Sequence, residues 1–132
     1  MLRTDLFKTV DRAETRFIAI RDTLTKPDLD YNIKTMDAIH SKQGRLGVGW
    51  HFLVLLSGNI QLGRNIETCG SHSKGLDDIS VSLGVVGGTD ENGDRLLTRN
   101  QDQWQAIDDL VRFLQSRYPD ASINDNPVPN NP

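Results

Sequence analysis

The 132-residue sequence predicts an α/β fold with a mixed central β-sheet flanked by helices. Apolar, β-branched runs of strand length recur along the chain, and two segments have apolar residues at helical spacing. The two kinds of segment follow one another in the order β–α–β–β–β–α–β. This order predicts one sheet sandwiched by helices.

The first strand is predicted at residues 17–20, where the run FIAI is apolar and β-branched. The run ends on Arg21 and Asp22, before a turn closed by Pro27. Open α/β folds place ligands and chemistry at the carboxyl ends of their strands. Arg21 therefore stands where a functional residue is expected.

The next two segments predict a helix and a β-hairpin. Residues 28–44 have apolar side chains at three-residue spacing and end at a glycine, as an amphipathic helix does; these side chains are Ile33, Met36 and Ile39. Residues 47–63 give an apolar strand, a Ser-Gly-Asn turn at 57–59 and a second strand.

A polar loop over residues 65–78 leads into the next strand, ISVSLGVVGG, at 79–88. Three glycines in this run predict close backbone approach near the end of the strand; they are Gly84, Gly87 and Gly88. A turn without a periodic pattern follows at 90–94.

The strongest helical pattern of the sequence lies at residues 103–118 and ends at Pro119. Its apolar stripe is formed by Trp104, Ile107, Leu110, Val111 and Leu114. A short strand fits residues 121–123. The Pro- and Asn-rich residues 124–132 predict an irregular tail after a single domain that spans 1–123.

Composition excludes several classes of function. The net charge is −3 and the basic residues are scattered, which argues against a nucleic-acid partner. Cys69 is the single cysteine, so neither an internal disulfide nor a Cys-rich zinc site is expected. The longest apolar run, at 52–56, is too short to cross a membrane, and the first residues do not form a signal peptide.

The three histidines have different expected roles. His72 lies in the loop GSHSKG beside Lys74, where it either contacts an anionic or carbonyl-bearing ligand or is simply exposed. His51 follows Trp50 in an apolar strand, so the two side chains face opposite ways, one toward a cleft and the other into packing. We expect His51 to be a core histidine bound to a backbone partner, and His40 to be structural. No histidine spacing encodes a local zinc motif.

The runs GVGWHFLVLLSGNIQLGR and GSHSKGLDDISVSLGVVGG resemble the type 2 N-acetylmuramoyl-L-alanine amidases, especially the short phage lysozymes of the T-seven type. More distantly, they are similar to the peptidoglycan recognition proteins. The family motifs GYHF, GR, GSHAKG and VGG correspond to residues 49–52, 63–64, 70–75 and 86–88. The resemblance covers about residues 7–118 and implies the amidase and peptidoglycan-recognition-protein fold.

The resemblance also implies a chemistry. The family cleaves the amide between the lactyl group of muramic acid and the first alanine of the stem peptide. One zinc ion is held by two histidines and a third ligand, usually cysteine, with a tyrosine and a lysine assisting. The two histidine positions correspond to Arg21 and Asn126, the tyrosine position to Trp50, and the third ligand and the lysine fall within or beyond residues 127–132. A guanidinium group cannot act as a zinc ligand.

These substitutions lead us to expect a catalytically inactive member of the family, with no metal and no cofactor. Arg21 is expected to fill the former metal site, paired with Asp22 or Asp125, or else to point to solvent. Trp50, His72 and Lys74 are the candidate residues of the ligand groove.

The expected role is a structural or accessory component of a phage virion, made in the cytoplasm of the bacterial host, with other virion proteins as partners. The alternatives are a non-catalytic peptidoglycan-binding module and a zinc amidase with a rebuilt site, and residual cell-wall hydrolysis stays open. No nucleic-acid or membrane partner is expected.

Overall fold

The computed structural model describes residues 11–27, 30–42, 49–70 and 75–127. These residues form strands and helices in the order that the sequence predicts. The elements are β1 (Phe17–Asp22), α1 (Ile33–Lys42), β2 (Phe52–Val54), β3 (Ile60–Leu62), β4 (Ser80–Val85), α2 (Gln101–Arg117) and β5 (Ser122–Asp125).

The strands form one mixed sheet in the order β3-β2-β4-β1-β5. β2 and β3 form the expected antiparallel hairpin, while β1 pairs in parallel with β4 and β5, and β2 pairs in parallel with β4. The prediction of a mixed central sheet is confirmed. The carboxyl ends of β1, β2, β4 and β5 consequently lie at the same edge of the sheet.

The two helices cover opposite faces of the sheet. One face carries alternate strand residues such as Ile18, Ile20 and Leu83, which share a buried cluster with α2. On the other face Leu53 shares a buried cluster with Met36 of α1. Helices on both faces explain why every residue of β2 and β4 is buried, including the polar Ser80 and Ser82.

Most of the predicted stripe of α2 is buried. Ile107, Leu110, Val111 and Leu114 all lie in the core, but Trp104 is 42% exposed. Its ring instead covers the guanidinium of Arg99, whose Cζ lies 4.9 Å from the ring centroid. The prediction that Trp104 packs in the core is therefore wrong, because the residue lies in the first turn of the helix, at the rim of the sheet.

Two further details differ from the expected boundaries. α2 begins two residues earlier than predicted because Asn100 caps it: the side chain of Asn100 accepts from the Gln103 N–H, and the Gln103 side chain accepts from the Asn100 N–H. β5 includes Asn124 and Asp125, which were expected in the irregular tail. In the described part of the chain, neither helix has the length and apolar character needed to span a bilayer.

Candidate functional site

A groove of about 680 Å³ lies over the carboxyl end of β1. One wall consists of residues 21–26, which complete β1 and continue into the following loop. The opposite wall is formed by apolar and aromatic side chains on and near α1, together with the indole of Trp50; these are Tyr31, Met36, Ile39 and His40. This is the position at which open α/β sheets bind ligands.

The indole of Trp50 is held tightly on the sheet. It packs against Gly84 of β4, where a Cβ atom would lie only 2.6 Å from Cδ2 of the indole. The ring of His40 contacts it from α1, with 4.8 Å between the ring centroids. His40 is itself fixed, since its Nδ1 accepts a hydrogen bond of 2.8 Å from the Gly49 N–H. The predictions of a structural His40 and of a close approach at Gly84 are confirmed.

Arg21 lies at the end of β1, half-buried and directed toward β5. Its guanidinium donates to the backbone oxygen of Ile20 and to both the backbone and side-chain oxygens of Asn124, at 2.7–2.8 Å. Burial lowers the pKa of Arg21, and the nearby charge of Asp125 opposes that shift. Arg21 thus lines the groove as part of the wall formed by residues 21–26, with its guanidinium bound to β5.

The close ion pairs of Asp22 and Asp125 are made by Arg99, a residue of the segment before α2. Arg99 donates to both carboxylate oxygens of Asp22, at 2.8 and 3.3 Å, and to both of Asp125, at 2.9 and 3.0 Å. The side chains of Arg99 and Asp22 are 1% and 2% exposed. One guanidinium thus joins β1, β5 and the start of α2 in a buried ion cluster.

The ion cluster keeps Arg99 in its charged form. Burial by itself lowers the pKa of Arg99, but the hydrogen bonds to Asp125 and Asp22 and the negative charges of these carboxylates together outweigh burial, and the net shift of the pKa is upward. Arg99 is consequently charged at neutral pH. With one arginine and two carboxylates, the cluster has one negative charge in excess, and Arg21 lies close enough to offset it.

His51 faces away from the groove, as expected from its position next to Trp50. Its Nδ1 accepts from the Ser82 N–H at 3.0 Å, and its Nε2 lies 2.7 Å from the backbone oxygen of Thr68, to which it donates. Burial lowers the pKa of His51 to about 4, so the ring is neutral at pH 7. The prediction of a core histidine with a backbone partner is confirmed.

The structure brings together only part of the expected site. Arg21 and Trp50 both line the groove. Asn126 follows β5 at the same edge, since Ile20 pairs with Asp125 and the Asn126 N–H approaches the Ile20 oxygen at 3.4 Å. His72 and Lys74 lie outside the described residues. Sequence reasoning missed Arg99, whose partners are 77 and 26 positions away and leave no local pattern.

The donor groups at this edge of the sheet do not fit the zinc ion that the resemblance implies. Arg21 presents a cationic donor where a neutral histidine is required. The carboxylates of Asp22 and Asp125 are both engaged by Arg99. Within the described residues, no three His, Cys, Asp or Glu side chains are grouped to hold a metal ion. The roles of Arg21 and Asn126 as former ligand positions stay a prediction.

Comparison with known proteins identifies relatives over most of the chain. The endolysin of Enterobacteria phage K11 is 32% identical over 112 residues, which cover 85% of this chain and 74% of that protein. The endolysins of Klebsiella phage KP32 and Escherichia phage T7 are 34% and 31% identical, with the same coverage. No family model matches the sequence.

Solved structures share the fold. The Ph2119 endolysin of a Thermus scotoductus bacteriophage superposes with a TM-score of 0.72 at 18% identity, covering 89% of this chain and 75% of that one. Bumblebee PGRP-SA superposes with a TM-score of 0.73 at 19% sequence identity, and the match covers 89% of this chain and 74% of that one. The N-acetylmuramoyl-L-alanine amidase LysCS of Clostridium intestinale superposes with a TM-score of 0.69 at 22% sequence identity, and the match covers 88% of this chain and 69% of that one. The expected amidase and peptidoglycan-recognition-protein fold is confirmed.

The relatives also correct one expectation. A catalytically inactive protein was expected from the substituted ligand positions, whereas the relatives that match most of the chain are endolysins, and two structural neighbours are amidases. These names point to an enzyme, so the expectation of an inactive protein is wrong. With more than 30% identity to proteins of which it covers about three quarters, the chain belongs to the family of phage endolysins.

Proposed function

We propose that this chain acts on the peptidoglycan of the bacterial cell wall and that the groove over β1 binds it. The observation that carries the proposal is the groove itself: it lies at the carboxyl end of a parallel strand and combines the cationic side chains of Arg21 and Lys26 on one wall with an apolar and aromatic opposite wall. Peptidoglycan offers both matching chemistries, because its stem peptides have carboxylates and short aliphatic side chains.

Hydrolysis is the activity that the relatives support. Four phage endolysins align with most of the chain. Because the described donor groups do not fit zinc, we derive no catalytic step through a metal. What these residues supply is binding: the groove is lined by the fixed indole of Trp50, the guanidinium of Arg21 and the amine of Lys26.

Co-sedimentation with purified, insoluble peptidoglycan tests the binding. We expect the wild-type chain to be retained and Lys26→Glu to be retained much less, because Lys26 lines the groove. Arg112→Glu is the matched control: it reverses the same charge on the exposed face of α2, outside the groove. An equal loss of retention on peptidoglycan in the two variants, or no retention of the wild-type chain, would contradict the proposal.

Loss of turbidity of a cell-wall suspension, followed together with the release of new amino groups, tests the hydrolysis. Endolysin activity predicts that both signals change with time in proportion to the amount of protein. Retention on peptidoglycan without either signal would leave binding as the function and would contradict hydrolysis.

A place in the phage particle is proposed separately. The expectation of virion partners rests on the sequence resemblance to phage proteins, and the endolysin relatives are also phage proteins. Mass spectrometry of purified particles tests it: the chain should be present at constant stoichiometry after washing in high salt. Its recovery only in the lysate would contradict this placement.

A further inference from the structure

Leu24 has a backbone conformation that leucine rarely adopts. Its φ is 60°, and among the described residues it is the single non-glycine residue with a positive φ. The left-handed region is unfavourable for a residue with a bulky side chain, because it brings the Cβ atom too close to the following carbonyl oxygen. A strained leucine on the wall of a groove therefore needs an explanation.

The residues on either side of Leu24 hold this conformation in place. The Thr23 N–H donates to the backbone oxygen of Val85 at 2.9 Å, and the Thr25 N–H donates to that of Gly87 at 3.0 Å. The hydroxyl groups of Thr23 and Thr25 both accept from the Gly87 N–H, each at 3.1 Å. Leu24 is thus fixed between two residues that are bound to the end of β4 and the residues after it. Backbone strain persists where the surrounding structure imposes it, and strained residues cluster at binding sites.

The side chain of Leu24 stays accessible although it is apolar. The residue is 42% exposed and lines the groove. Its Cδ2 atom lies close to Gly88, only 3.3 Å from where a Cβ atom of that residue would be. Burial in the core does not account for the strained position, because so much of the leucine remains in contact with solvent.

Leu24 is the single apolar residue on its wall of the groove. The other residues of the described wall, 21–26, are charged or carry hydroxyl groups, whereas the opposite wall includes the apolar side chains of Met36 and Ile39. An aliphatic group of a ligand can therefore contact apolar surface on both walls only where it lies against Leu24. The stem peptides of peptidoglycan carry aliphatic groups of this kind.

We propose that Leu24 is a specificity-determining residue that packs against a short aliphatic side chain of the bound peptidoglycan peptide, across the groove from Met36 and Ile39. This inference rests on the proposed function, since it names the part of the ligand that the groove recognises. The imposed backbone conformation fixes the leucine before the ligand binds, which reduces the entropic cost of binding.

Calorimetric titration with soluble muropeptides compares two substitutions at residue 24. Asparagine tolerates a left-handed backbone but is polar, whereas methionine stays apolar. We expect Leu24→Asn to bind about fivefold more weakly, because the exposed part of the leucine loses its apolar contact, and Leu24→Met to bind nearly as tightly as the wild type. Leu62→Asn is the matched control, since it changes an exposed leucine of β3 outside the groove lining. Unchanged affinity of Leu24→Asn, or an equal loss in Leu62→Asn, would overturn the inference.

Urea denaturation of the same variants separates binding from folding. Asparagine relieves the strain at residue 24, which offsets the packing lost near Gly88. The urea midpoint of Leu24→Asn should therefore stay close to that of the wild type. A large fall in the midpoint that accounts for the loss of affinity would assign Leu24 a structural role and overturn the inference.

The ligand supplies the second half of the test. Muropeptides with glycine in place of the alanines of the stem peptide should bind the wild type about threefold more weakly, since each methyl group contributes to apolar burial. The same ligand change should weaken binding to Leu24→Asn less, because both changes remove one interaction. Equal weakening in the two proteins would show that the leucine and the methyl groups do not meet.

A measurement on the wild-type chain covers the case in which Leu24→Asn does not fold. The methyl signals of Leu24 in a ¹H–¹³C spectrum are assigned by their loss in Leu24→Met. Muropeptides should shift these signals, and no shift at saturation would overturn the inference. Absence of any binding to the wild-type protein would instead refute the proposed function, whereas binding without an effect at residue 24 would refute this inference alone.

Discussion

Gly84 of β4 and Trp50 are in such close contact that a methyl group at position 84 would lie 2.6 Å from Cδ2 of the indole. The backbone at Gly84 has no positive φ, so its role is to leave space rather than to permit an unusual conformation. The glycine and the indole therefore form one unit, in which the strand fixes the wall of the groove.

Gly84→Ala should displace the indole and lower the free energy of unfolding by about 1–3 kcal/mol, the usual cost of overfilling a packed site. Urea denaturation measures the loss, and the emission of Trp50 in a Trp104→Phe background reports the displacement. Unchanged stability together with unchanged emission would show that the contact is not tight.

The buried ion cluster should be essential for stability. Arg99→Leu removes the buried guanidinium that binds the carboxylates of Asp22 and Asp125, and removal of one member of a buried ion pair typically costs about 3–5 kcal/mol. Denaturant titration at pH 7 measures this. Arg112→Leu is the control, because its pair with Asp108 is exposed and should contribute less than about 1 kcal/mol. Similar losses of unfolding free energy in the two variants would show that the buried ion cluster is not essential for stability.

The pKa of His51 predicts a loss of stability in acid. Burial depresses this pKa to about 4 in the folded chain, against about 6.5 when the chain is unfolded. The contribution is therefore present above pH 6.5 and is lost as the pH falls from 6.5 to 4, which corresponds to about 3 kcal/mol. Arg12 and Arg64 lower this pKa further, and Asp77 raises it.

Unfolding free energies measured from pH 7.5 to pH 4 test this prediction. His51→Gln should be less stable at pH 7 but should lose less stability toward acid than the wild type, since carboxylates titrate in both proteins. Identical pH profiles would mean that His51 does not titrate as its surroundings indicate.

The capping box of α2 predicts a smaller effect. Asn100→Ala removes the acceptor for the Gln103 N–H and the donor to the Leu56 oxygen, and should cost about 1–2 kcal/mol. Asn100→Ser keeps a capping oxygen and should lose less. Thermal unfolding of the two variants separates the cap from the contact with Leu56, and equal losses would assign the whole effect to that contact.

The strands and helices could be predicted from the sequence, whereas the buried ion cluster could not. Periodicity predicted β1 and α2 because burial of one face or stripe imposes a repeating pattern on neighbouring residues. It also predicted that Trp50 and His51 face opposite ways, since alternation is a property of the strand itself. By contrast, Asp22, Arg99 and Asp125 meet only in three dimensions, and nothing in their spacing indicates it.

Two predictions, a core position for Trp104 and an irregular tail from residue 124, are wrong for the same physical reason. Trp104 has the spacing of a core residue, but it lies in the first turn of α2 and covers Arg99 from outside. The polar residues Asn124 and Asp125 were not expected in a strand. They extend β5 because the strand pairs with β1, while their side chains bind Arg21 and Arg99. In both cases the partner of the residue, rather than the local pattern, decides its position.

Hydrogen–deuterium exchange of the full chain with and without soluble muropeptides tests the central claim, that peptidoglycan binds in the groove over β1. We expect slower exchange in residues 21–26 and in α1, with little change at the exposed Leu62 of β3 and Phe113 of α2. Protection confined to the region of Leu62 and Phe113, or no protection at saturating muropeptide, would show that peptidoglycan does not bind in this groove.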